Sequence, residues 1–356
     1  MVRALGLNSK GNDRQMRRKI SDGKRKGLEA VSDARGVIAA LAIDQRSALR
    51  SLMAKAKGVA PEAIPGEMLA EFKEAVSRIL TPHASAILLD PEFGLPAARQ
   101  RAKNAGLLLA YEQSGYDKAV PGRLPCLLEN WSVRRLVEAG ADCAKILLYY
   151  SPSSGADIND SKHAWVERVG AECSAMDVPF FLELISYHEE MEDKSREFAQ
   201  VKPEVVTKSV EEFSKLRYGV DALKVGVFVS MAYVEGASGA DRDWLYSREE
   251  AKVHFRSAAD AAGVPFIYLS EGVSNELFDD ALQLAAEAGS AFSGVLCGRA
   301  TWKDGVPIYM NEGARALEKW LSDQGVKNIL RVNARLSTAT PWFAFREGDS
   351  AATFAG

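Results

Sequence analysis

The sequence predicts an α/β fold, a single-domain (β/α)8 (TIM) barrel, and three observations carry that expectation. Eight short apolar runs recur between residues 37 and 297, a span of about 260 residues, the usual size of such a barrel. The runs are continuous rather than alternating, as expected of strands buried on both faces. Helical patterns separate them. A doubly wound open sheet is the rival arrangement. It would place a glycine-rich phosphate loop after an early strand, and the first turn here reads Asp44-Gln45-Arg46-Ser47.

In chain order the strand-like runs are 37–43 (VIAALAI), 85–89 (SAILL), 106–110 (GLLLA), 143–149 (CAKILLY), 179–185 (PFFLELI), 221–229 (DALKVGVFV), 264–269 (VPFIYL) and 292–297 (FSGVLC). Helical patterns fall at 66–80, 130–139, 204–217 and 274–288, with Asn130 and Ser274 in N-cap position. The pairs Ala139-Gly140, Tyr218-Gly219, Ala262-Gly263 and Ala288-Gly289 read as helix C-caps before a strand. The barrel is expected over 28–330, with a basic N-terminal extension (1–27) and a C-terminal tail (331–356).

Composition narrows the function classes. The chain has 356 residues, 47% apolar and 26% charged, with a formal net charge of -3. That suits a soluble globular protein and argues against nucleic acid as a partner. The cluster of basic residues in 1–27 reads as a solvated helix and terminus, or as a nucleic-acid arm. No run of about 18 apolar residues suggests a membrane span, and no apolar h-region suggests secretion. The four cysteines form no CxxC pair, so a reducing, cytoplasmic compartment is expected. The four histidines lie far apart, and no metal is expected. The oligomeric state is not legible; a homo-oligomer is compatible with the sequence.

Active sites of such barrels lie at the C-terminal ends of the strands. Polar residues there are Asp44 and Gln45 after strand 1, Asp90 and Glu92 after strand 2, and Glu112 after strand 3. Lys145 lies in strand 4, Glu183 in strand 5 and Lys224 in strand 6. Lys224 is the most informative. A lysine among apolar residues is disfavoured as a cation, more so beside a second lysine such as Lys145, and a neutral lysine attacks carbonyls. Its bland reading is a lysine that snorkels outward or a structural ion pair with Glu183. Glu183 could move a proton to and from a substrate hydroxyl, or simply balance the lysines. Asp44 could hold a substrate hydroxyl, orient Lys145, or cap the next helix. Ser270-Glu271-Gly272 and Gly298-Arg299 follow strands 7 and 8, where these barrels commonly bind phosphate. Glycine lets the backbone approach an anion, and Arg299 offers a bidentate fork.

Together these segments resemble the class I tagatose 1,6-bisphosphate aldolase (LacD-like) family, related to sulfofructose-phosphate aldolases. The matching stretches are GVIAALAIDQRSAL (36–49), AILLDPEFGLPAA (86–98), ADCAKILLYYSP (141–152), FFLELISY (180–187), DALKVGVF (221–228), YLSEGVS (268–274) and GVLCGRATWKDGV (294–306). The resemblance implies that Lys224 forms a Schiff base, that Glu183 is the acid/base and that Lys145 accompanies them. It also implies that Asp44 and Gln45 contact substrate and that Ser270, Gly298 and Arg299 hold the phosphate of the dihydroxyacetone phosphate half. Asp90 and Gly272 complete the expected substrate-binding set. No cofactor is implied. The implied reaction is reversible cleavage of a ketose 1-phosphate or 1,6-bisphosphate. A sulfonated or otherwise modified ketose phosphate, or a non-catalytic sugar-phosphate-binding barrel, are the alternatives. One departure is Ser47, where the family usually has glycine after DQR.

Overall fold

A computed structural model describes residues 19–240 and 243–345. Eight parallel strands close into a barrel in sequence order. They are β1 (Ile38–Ala42), β2 (Ala86–Leu89), β3 (Gly106–Ala110), β4 (Cys143–Tyr150), β5 (Phe180–Ser186), β6 (Ala222–Val225), β7 (Phe266–Tyr268) and β8 (Gly294–Cys297). Each falls within or against its apolar run. Around them lie α1 (Asp22–Ala30), α2 (Ser47–Lys57), α3 (Gly66–Leu80), α4 (Leu95–Gln100), α5 (Val133–Glu138), α6 (Ala156–Ala175), α7 (Arg196–Phe213), α8 (Arg248–Asp260) and α9 (Asn275–Glu287). After β8 follow α10 (Arg299–Trp302), α11 (Gly305–Glu312), α12 (Ala314–Trp320) and α13 (Val326–Ala334).

The continuous apolar runs have two jobs. Alternate residues such as Ala40, Ala42, Leu88, Leu108, Ala110, Cys143, Phe181, Ala222 and Leu296 fill the barrel interior. Their neighbours, such as Leu41, Ile87, Leu109, Ile146, Leu182 and Val225, pack outward in the cluster that holds the helices. This period-two rule sets the site. Two residues beyond the interior residues Ala42, Ala110, Cys143, Phe181 and Ala222 stand Asp44, Glu112, Lys145, Glu183 and Lys224.

Three local expectations are corrected. Asn130 does not cap α5. Ser132 does, its hydroxyl accepting from the Arg135 amide at 3.3 Å, whereas Ser274 caps α9 as expected. The helix read as 204–217 begins at Arg196 and contains Pro203. A proline cannot donate to the carbonyl four residues back, and the Tyr246 hydroxyl donates to that Ala199 carbonyl instead, at 3.1 Å. Gly140, Gly219 and Gly289 are left-handed, but Gly263 is not; its amide donates to the Ser214 hydroxyl at 2.9 Å.

α1 and the segment through Trp342 form the barrel floor, and boundaries at 27 and 331 cut through α1 and α13. α1 lies under β3 to β6. Gly27 packs on the Asp142 carbonyl and Pro179, and Gly106 packs on the Ala30 carbonyl. Lys24 pairs with Asp221 at 2.6 Å. The Thr340 amide donates to Phe292 and the Trp342 amide to Gly36, which tucks Trp342 and Phe343 under β8 and β1 beside the interior residues. The remainder of the basic extension, 1–18, and the tail beyond 345 lie outside the described residues. Among the described residues, no helix is long and apolar enough to cross a membrane.

Candidate active site

A cavity of about 680 Å³ opens at the C-terminal ends of the strands, lined by Asp44, Gln45, Glu112, Glu183, Ser270 and Arg299 among others. At its base the expected charged residues meet. Lys145 is fully buried, and its ammonium lies 2.8 Å from Asp44, 2.7 Å from Glu112 and 2.7 Å from Glu183. Burial alone would pull this lysine down. The carboxylates of Asp44, Glu112 and Glu183 outweigh burial and hold it well above its usual range. The cage thus favours the cationic form of Lys145. Burial would likewise raise Asp44, but Lys145 and Lys224 outweigh it and keep that carboxyl ionised well below the usual carboxylate range.

Lys224 lies beside Glu183 in register across β5 and β6. Its ammonium donates to Glu183 Oε2 at 2.8 Å, and its residue exposure is 2%. The same Oε2 faces Lys145. The other oxygen, Oε1, has no protein partner among the described residues, which leaves it available to a group in the cavity. Lys224 thus has one carboxylate at ion-pair distance, where Lys145 has three.

Asp44 does not cap a helix. Its Oδ2 accepts from Lys145 and its Oδ1 from Gln45 Nε2 at 3.1 Å. Gln45 Oε1 and Glu112 Oε2 are both buried without a partner. A buried polar atom left unpaired is costly, and these two oxygens are fit acceptors for hydroxyl groups of a ligand. Glu112 is the residue that sequence reasoning left out of the expected set. The signal was present: it sits two residues beyond the interior residue Ala110, on the same parity as Asp44 and Glu183.

Asp90 is the converse. The structure does not bring it to the cavity. The chain leaves β2 at Leu89, and the fully buried Asp90 carboxylate turns to Lys73 of α3. Its Oδ1 accepts from the amides of Glu92 (3.1 Å) and Phe93 (2.8 Å). Its role is to build the β2–α4 turn.

Ser270, Gly272, Gly298 and Arg299 gather at the β7–β8 corner. Gly272 is left-handed, at φ +78°, and a Cβ there would fall 2.7 Å from the Arg299 guanidinium carbon. Gly298 is packed so that a Cβ would lie 2.9 Å from the Ala42 carbonyl and 3.6 Å from Gln45 Nε2. Both glycines are thus required for close approach. The result is a corner with a serine, an arginine and bare backbone, suited to an anion.

The chain matches the family model described as DeoC/LacD family aldolase over residues 38–304. A tagatose 1,6-diphosphate aldolase of Enterococcus faecalis is 51% identical over 317 residues, covering 89% of this chain and 95% of that one. One from Streptococcus pyogenes serotype M1 is 49% identical over 325 residues, covering 91% and 98%. Among solved structures, the fructose-bisphosphate aldolase of Plasmodium falciparum superposes with a TM-score of 0.60 at 14% identity, over 90% of this chain and 98% of that one. At that identity the likeness concerns the fold.

Proposed function

This chain belongs to the DeoC/LacD family of aldolases, and from that premise we propose that it is a class I, Schiff-base aldolase cleaving tagatose 1,6-bisphosphate to dihydroxyacetone phosphate and glyceraldehyde 3-phosphate. The observation that carries this reading is the Lys224–Glu183–Lys145 arrangement, in which a buried lysine with one carboxylate partner stands next to a lysine whose surroundings favour the cation.

Glu183 Oε2 takes a proton from Lys224, whose amine then adds to the C2 carbonyl of the ketose; Glu183 returns that proton to the C2 hydroxyl, which leaves as water to give the iminium, and Glu183 is again a carboxylate. The iminium is the electron sink. A carboxylate at Glu183 accepts the C4 hydroxyl proton, the C3–C4 bond breaks, and its electron pair moves into the iminium to give an enamine as the aldehyde departs. Protonation at C3 and hydrolysis release dihydroxyacetone phosphate and restore the lysine. Lys145 stabilises the charge that passes through Glu183. Ser270, Arg299 and the backbone of Gly272 and Gly298 hold the C1 phosphate, while Asp44, Gln45 and Glu112 offer oxygen acceptors to the sugar hydroxyls.

The test is borohydride reduction in the presence of dihydroxyacetone phosphate, followed by peptide mass spectrometry. The expected product is an adduct on Lys224 that is missing in Lys224→Ala. An adduct elsewhere, or none, overturns the assignment.

A further inference from the structure

Glu112 lies two residues past the end of β3, where an isolated antiparallel bridge to Leu127 holds its backbone. Its carbonyl accepts from Arg46 Nη2 at 2.6 Å. Arg46 lies past the end of β1 and is itself 95% buried, at 5% exposure; its Nη1 pairs with Glu92 at 2.5 Å. Glu92 lies in the turn past β2, and its amide is fixed by Asp90. Asp90 in turn is bound by Lys73, from the middle of the 15-residue helix α3. Three loops are therefore joined end to end, with Arg46 directly preceding α2 and Lys73 inside α3.

We infer that Lys73, Asp90, Glu92 and Arg46 form a positioning chain that sets the placement of Glu112, and through it the carboxylate cage of Lys145. None of the four need touch the reacting atoms. The Lys73–Asp90 pair is fully buried on both sides, and a buried ion pair can often be exchanged for apolar residues at little loss of stability. Its placement gives it a use beyond stability: it fixes the turn that delivers Glu92 to Arg46. The inference rests on the aldolase reading only in that Glu112 and Lys145 belong to the reacting site.

Glu92 is the link to cut, because its side chain is 41% exposed and its removal should leave the fold intact. The full-length chain carrying Glu92→Ala is expected to lose about tenfold in kcat for tagatose 1,6-bisphosphate, since small misplacements of reacting groups are this costly or more. KM should stay within about twofold, and borohydride trapping of dihydroxyacetone phosphate on Lys224 should persist. Glu92→Gln, which keeps a hydrogen bond to Arg46, should recover most of the rate. The double variant Lys73→Met with Asp90→Leu should lower kcat in the same way. Wild-type kcat in Glu92→Ala overturns the chain, as does a kcat loss that Glu92→Gln does not rescue. Absence of a Lys224 adduct in the unmodified protein would instead defeat the Schiff-base reading, and the kcat ratio would still report on the chain.

Discussion

Lys145 and Lys224 stand two strands apart on the barrel wall, and one oxygen of Glu183 serves both, at 2.7 and 2.8 Å. The carboxylate cannot change its charge without both lysines responding. That coupling makes the pair testable one side chain at a time.

Glu183→Gln keeps the shape of the side chain and removes the base. Cleavage is expected to fall by about 100- to 10,000-fold, the usual range for a general base. Trapping of dihydroxyacetone phosphate on Lys224 should continue, because iminium formation can draw on solvent. Steady-state kinetics and adduct mass together check this; undiminished turnover would remove Glu183 from the mechanism.

Lys145→Met takes the shared cation from Asp44, Glu112 and Glu183, and leaves Glu183 paired with Lys224 alone. Breaking a buried ion pair in this way costs about 3–5 kcal/mol, readable as a fall in urea stability. Adding Glu112→Gln removes one of the three like charges and should restore part of the loss. If the second change only adds to the first, the carboxylates are not in mutual contact through Lys145.

Gly272→Ala strains a left-handed backbone and drives a methyl group towards the Arg299 guanidinium. KM for a phosphorylated ketose should rise about tenfold or more, as for Arg299→Ala, since hydrogen bonds to charged groups are worth about 1.5–3 kcal/mol. Trapping of unphosphorylated dihydroxyacetone should change little. Equal losses for both ligands would show that the corner does not serve a phosphate.

Lys162, fully buried on α6, donates to the Tyr187 hydroxyl at 3.0 Å, and burial pulls it from 10.5 down to about 8. Between those values the unfolded chain holds the proton that the folded chain has released, so this group makes stability rise with pH through that window. Lys162→Met should therefore stabilise the fold more at pH 7 than at pH 10. Urea midpoints of both proteins at the two pH values decide it; a pH-independent difference would refute the burial effect.

The strands were legible because residues buried on both faces leave uninterrupted apolar runs. The site was legible to the extent that it obeys the alternation of the strands, which points Lys145, Glu183 and Lys224 into the barrel. Asp90 obeys it in sequence but escapes it in space, because a turn begins at that residue and Lys73 claims the carboxylate. α7 was started eight residues late because Pro203 reads as a boundary, and the hydroxyl that compensates for it, Tyr246, is 43 residues further along the chain. Such remote partners leave no periodic trace. The segment around Trp342 read as a tail for the same reason: the surface it covers is contributed by residues near both ends of the chain.

The floor of the barrel has a practical side. α1 and the segment through Trp342 both depart from the face opposite the cavity. Neither segment lines the cavity, so a diffusing sugar reaches the strand ends without crossing them.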